Sequence, residues 1–166
     1  MISIQVDGSR VQGRLRQIQA ALGDTTQAMR TIGEIVVRQI HDSFERQASP
    51  AGAQWRRLSQ RTLMARAGYG KGKRIYNKDG NLSAAARRTV QTAKILEDTG
   101  LLRKSFSLEA GPDKVVVGSS SAQAPVLNFG GRAGRGRRVV IPARPFMPDG
   151  ETLDWREIRA ALLRYL

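Results

Sequence analysis

Met29, Ile32, Val36, Ile40 and Phe44 recur at spacings of three or four, which puts all five on one face of a helix. A stripe that long must be covered, so the chain is expected to fold around one long amphipathic helix. Asp24 with Gln27 three residues later reads as a capping box at its start. Ser49-Pro50-Ala51-Gly52 should end it near Gln47, because proline disfavours helical backbone in the residue before it.

Other elements arrange themselves around that helix. Ile2, Ile4 and Val6 alternate with polar residues as a short strand does, and Val11, Leu15, Ile18 and Leu22 line a second, N-terminal helix. Ser59 can cap a short helix carrying Leu63 and Met64, and Asp98 or Thr99 can cap a turn or two through Leu101 and Leu102, with both leucines facing the core. Phe106-Ser107-Leu108 and Val115-Val116-Val117 flank Gly111-Pro112-Asp113-Lys114 and predict a β-hairpin. Val139, Val140 and Ile141 offer a further strand. Asp154 and Glu157 form a second capping box before a helix whose Ile158, Leu162 and Tyr165 share a face. The expectation is α+β: long N-terminal helices packed on a small, mostly antiparallel β-sheet, with a C-terminal helix, all in a single domain over residues 1–166.

Charge is concentrated rather than spread. The net charge is +14 with a pI near 11.4, and residues 66–94 contribute +7 and residues 132–144 contribute +5. Residues 66–94 and 130–138 therefore read as basic, extended loops, the stretch 68–81 being rich in glycine and poor in anything to bury. Such loops either suit an anionic partner or are solvated surface. The first-choice contacts are Arg132, Arg135, Arg137 and Arg138, followed by Lys71, Lys73 and Arg74.

Catalysis finds little to work with. There is no cysteine and one histidine, His41, so neither thiolate chemistry nor a His-x-x-x-His metal site is available. His41 reads as a structural residue flanking the helix stripe. The carboxylates Asp24, Asp98, Asp154 and Glu157 stand at helix starts, where capping explains them. Gly130-Gly131-Arg132-Ala133-Gly134-Arg135 lacks the Gly-Lys-Ser/Thr of a phosphate loop. No enzyme activity, metal or cofactor is expected. Residues 1–10 lack the pattern of a secretory leader, and no run reaches the ~20 mostly apolar residues of a membrane-spanning helix, so no membrane role is expected.

Four stretches, in order, resemble the virion morphogenesis family of Mu-like tailed bacteriophages. They are Phe44 with Ser49-Pro50-Ala51-Gly52-Ala53-Gln54-Trp55-Arg56-Arg57-Leu58; Ile95-Leu96-Glu97-Asp98-Thr99-Gly100-Leu101-Leu102-Arg103-Lys104-Ser105; Val117-Gly118-Ser119 running to Ala124-Pro125-Val126-Leu127-Asn128-Phe129-Gly130-Gly131; and Ile141-Pro142-Ala143-Arg144-Pro145-Phe146-Met147-Pro148. The resemblance implies a non-catalytic structural subunit of the virion. It would complete or terminate the tail at the head-to-tail neck, as a homo-oligomeric ring of six copies that meets other neck and tail proteins. Its place would be the virion, after assembly in the host cytoplasm.

In such a ring the basic loops could line a channel for genomic DNA or meet an acidic neighbour. Two prolines stop strand pairing in the last stretch, which leaves Phe146 and Met147 as a fixed apolar projection suited either to the core or to a neighbouring subunit; with Phe129 they are the candidate subunit-interface residues. The charge alone supports a different reading, a free basic nucleic-acid-binding protein.

Overall fold

The computed structural model describes residues 24–72 and 74–165. The strand expected at Ile2, Ile4 and Val6, the helix expected from Val11 to Leu22, and Lys73 lie outside them. The described chain is α+β and divides into two compact units, the first holding described residues 24–38, 107–118 and 154–165 and the second those of 39–106 and 119–153.

Helix α1 spans Thr26–Arg46 and contributes to both units. Its entry lies one residue beyond the expected Asp24–Gln27 box. The Asp24 carboxylate accepts from the Thr26 amide at 2.9 Å, and the Met29 amide donates to the Thr25 carbonyl at 2.9 Å. The buried face carries Ala28, Ile35, Ile40 and Phe44, with Met29, Ile32 and Val36 half-buried beside it.

The helix stops where the sequence places its end. Gln47 takes a left-handed φ of 53°, and the amides of Gln47 and Ala48 donate to the carbonyls of Phe44 and Ser43 at 3.4 and 3.1 Å. That geometry usually falls to glycine. Glutamine holds it because its carboxamide donates to the Phe44 carbonyl at 2.7 Å and accepts from the Ile95 amide.

Phe106–Ala110 (β1) and Val115–Ser119 (β2), which belong to the first unit except for the end residues Phe106 and Ser119, form a two-stranded sheet. Only four residues join them, so the pair is antiparallel, as the hairpin pattern predicted. α1 lies against this hairpin at Gly33, where an added Cβ would stand 2.7 Å from Val115 Cγ2 and 3.3 Å from Leu108 Cδ2. The C-terminal helix, labelled α6 below, spans Trp155–Leu162; the Asp154 carboxylate caps it by accepting from the Glu157 amide at 2.9 Å. It buries Ile158 and Ala161, Glu157 pairs with Arg38 on α1, and Tyr165 meets Thr31 at 2.7 Å.

The second unit is built on aromatic packing. Phe44 contacts Trp55, Phe106 and Phe146 with ring centroids 5.5, 6.0 and 5.6 Å apart. The unit also holds α2 (Gln60–Ala67), α3 (Ala84–Thr92), α4 (Leu101–Lys104), α5 (Ala124–Phe129), β3 (Gly131–Ala133), a 3-10 turn at Arg135–Arg137 and β4 (Val139–Ile141). Ser59 Oγ caps α2 by accepting from the Thr62 amide at 3.2 Å, as expected.

Several expectations need correction. Residues 66–94 are not one extended loop: Ser83 Oγ accepts from the Ala86 amide at 3.3 Å and starts α3 there. Residues 130–138 are not a loop either, for they hold β3 and the 3-10 turn. Val139–Ile141 does not extend the β1–β2 sheet. It pairs antiparallel with β3, Gly131 opposite Ile141 and Ala133 opposite Val139, so the described residues hold two small sheets in place of one. Of the two leucines assigned to the core, Leu102 is buried and Leu101 is 70% exposed, because neighbours on a helix point about 100° apart and one turn can bury only one of them.

Candidate macromolecular interface

The segment from α5 to β4 carries the first-choice arginines, and its shape comes from glycine. Gly130 ends α5 at φ 75°, and an added Cβ there would lie 2.8 Å from the Ala143 amide nitrogen and 3.1 Å from the Ile141 carbonyl oxygen. Only glycine allows the chain leaving α5 to pass so close to the chain leaving β4. Between them β3 and β4 form a short ribbon whose end is closed by the Arg135–Arg137 turn.

Arg132, Arg135, Arg137 and Arg138 are all exposed on this ribbon. None makes an ion pair with a described acidic residue. On the same ribbon Val139 and Val140 are 57% and 68% exposed, and Phe129, at the end of α5, is 78% exposed. Fully burying a valine or phenylalanine side chain is worth roughly 1.5–3 kcal/mol, so this face combines uncovered apolar area with uncompensated positive charge. That mixture suits association with a macromolecule.

Lys71 and Arg74 are exposed on a separate stretch of the same unit, beside the exposed rings of Tyr69 and Tyr76; Lys73 lies outside the described residues. Ile75 beside Arg74 is buried, and Tyr76 forms a local bridge with Leu82 just before α3. His41 packs edge-on to Phe106, ring centroids 6.4 Å apart.

Two interface candidates separate from the third. Phe146 is 1% exposed and belongs to the aromatic cluster, so it has no surface to offer a neighbouring subunit. Met147 is half-buried. The segment is fixed, but inward, by hydrogen bonds to its main chain. Asn128 Oδ1 accepts from the amides of Phe146 and Met147 at 2.9 and 3.0 Å, and Trp55 Nε1 donates to the Pro145 carbonyl at 2.8 Å.

Arg144, counted in the sequence only as part of a basic run, is 7% exposed. Its amide donates to the Leu127 carbonyl at 2.9 Å and its Nε to the Arg56 carbonyl at 3.0 Å. Burial, then the nearby charges of Arg56 and Arg66, hold its pKa below the ordinary guanidinium value; a guanidinium stays protonated at neutral pH all the same. The flanking prolines were the one sequence signal that this arginine is held in place.

The profile of the phage virion morphogenesis family matches residues 6–91 and 76–166. A Mu-like prophage protein of Haemophilus influenzae, FluMu G protein 2, is 38% identical over 68 residues, covering 41% of this chain and 49% of that protein. The chain thus matches about half the length of that curated relative. No solved structure matches.

Proposed function

Because the chain belongs to the phage virion morphogenesis family, its work is in building the virion, and we propose that it does so as a non-catalytic subunit that completes the tail at the head-to-tail neck. In this reading six copies form a ring, and the ribbon from Phe129 to Ile141 faces its neighbours. The observation that carries it is the joint exposure of Phe129, Val139 and Val140 beside four arginines without acidic partners. Apolar area gives the contact its strength, and charge selects an acidic protein face or the DNA passing through.

Deleting the gene tests the role. DNA-filled heads and tails that fail to join are expected; normal infectious particles would refute it. Electron microscopy of purified virions tests the ring, whose absence from the neck sinks the six-copy arrangement. The density of positive charge keeps one other reading in play, a free nucleic-acid-binding protein. Tight duplex binding by the isolated chain, with affinity falling steeply as salt rises, would favour that reading.

A further inference from the structure

Below β4 the second unit opens into a pocket of about 770 Å³, whose lining includes Arg56, Arg57, Arg144, Leu58, Val140 and Ile141. No acidic side chain among the described residues lines it. Among the described residues the two terminal nitrogens of Arg144 make no hydrogen bond, and the residue forms no ion pair. Arg144 is 7% exposed as a residue, and Arg56 and Arg57 share the lining with it, so the pocket gathers charge of one sign and favours an anion among them.

We propose that this pocket captures an acidic segment of a neighbouring protein, a carboxylate settling on Arg144 while the aliphatic side chains next to it pack on Val140, Ile141 and Leu58. Three observations favour a peptide over a nucleic-acid backbone. The walls are mostly aliphatic, and phosphates and sugars offer nothing to fill them. A planar guanidinium whose Nε is already tied down presents its terminal nitrogens as a fork, the geometry that grips one carboxylate through two bonds. In addition, β4 pairs with β3 on one side and with no described strand on the other, which leaves main-chain groups for an extended peptide to bond. That the neighbour is another virion protein rests on the proposed function. The capture itself does not.

The test uses the full chain and two capped peptides, one alternating valine with aspartate and one with asparagine in place of aspartate. Binding is followed by the Nε–H signal of Arg144 in nitrogen-15 NMR, assigned by its loss in Arg144→Lys. The aspartate peptide is expected to move that signal and to saturate at a concentration about tenfold below its counterpart, the scale of one charge-assisted hydrogen bond. Arg57→Glu changes an exposed side chain, so it keeps the thermal midpoint and weakens the aspartate peptide by about tenfold or more. If Arg144→Lys fails to fold, the two peptides are compared by isothermal titration calorimetry on the unmodified chain and on Arg57→Glu, with the same expected ratios.

Equal saturation by both peptides overturns the proposal. So does a signal that answers to a short DNA duplex or to inorganic phosphate and ignores the aspartate peptide. Normal virions from the gene deletion, with the peptide still bound as expected, would remove the assembly role and leave the pocket standing; unjoined tails with no peptide selectivity would do the reverse.

Discussion

The two β-ribbons are alike in kind and opposite in fate. β1–β2 alternates half-buried and exposed positions along β1, and α1 covers its apolar side closely enough that only glycine fits at position 33. β3–β4 is shorter, and Val139 and Val140 stay mostly in water. Apolar residues on a strand do not reveal whether their cover comes from the same chain; the presence or absence of a fitted helix does. The first ribbon is finished by folding, and the second, in our reading, is finished by assembly.

That contrast can be broken most forcefully at the anchored side of the second ribbon. Phe146→Ala removes a fully buried ring, and chemical denaturation should register a loss of about 3–5 kcal/mol; a loss under about 1 kcal/mol would mean the aromatic cluster does not hold this unit together. Next comes Gly33→Leu in the first unit. Overpacking costs about 1–3 kcal/mol, which outweighs the gain in helix propensity of roughly 1 kcal/mol or less. An unchanged or raised stability would show that α1 is not closely fitted to β1–β2.

A smaller effect comes from acid. Hydrogen bonds from Thr26 hold Asp24 below its ordinary pKa, those from Arg103 do the same for Glu45, and those from Thr152 for Asp149. A carboxylate with a depressed folded pKa stabilises fully above its unfolded value and loses that contribution as pH falls through the folded one. Thermal midpoints should therefore be level near neutrality and decline in the acid range, with Asp149→Asn declining less steeply. A midpoint that rises on acidification contradicts the assignment.

The smallest effect on folding, and the sharpest on assembly, belongs to Phe129→Ser and Val140→Ser. Unfolding free energies should change by no more than about 0.5 kcal/mol, while in vitro joining of heads to tails fails. Efficient joining by the double variant would detach the second ribbon from the proposed role.

Much of the fold could be read from neighbouring residues, because its signals are local. The α1 stripe, the Ser59 and Asp154 caps and the Gly111-Pro112-Asp113-Lys114 turn each act within a few positions of the elements they specify. What escaped is non-local. Gly131–Ala133 has no apolar alternation to mark it as a strand and pairs only because β4 returns beside it. The candidate surface was legible in part for the same reason. Arginines in a glycine-rich run stay in water almost wherever the chain goes. Nothing local decides that Phe129 faces out and Phe146 in; that is settled by the Asn128 side chain, eighteen residues from Phe146, and the burial of Arg144 follows from the same docking.

Asn128 has a mechanical consequence. It adjoins the outward ring of Phe129 and, through a single oxygen atom, grips the main chain at Phe146 and Met147. A load applied at that ring would pass within one residue to the buried aromatic cluster that Phe146 joins. If the ribbon is a subunit contact, as proposed, its handle is bolted to its frame.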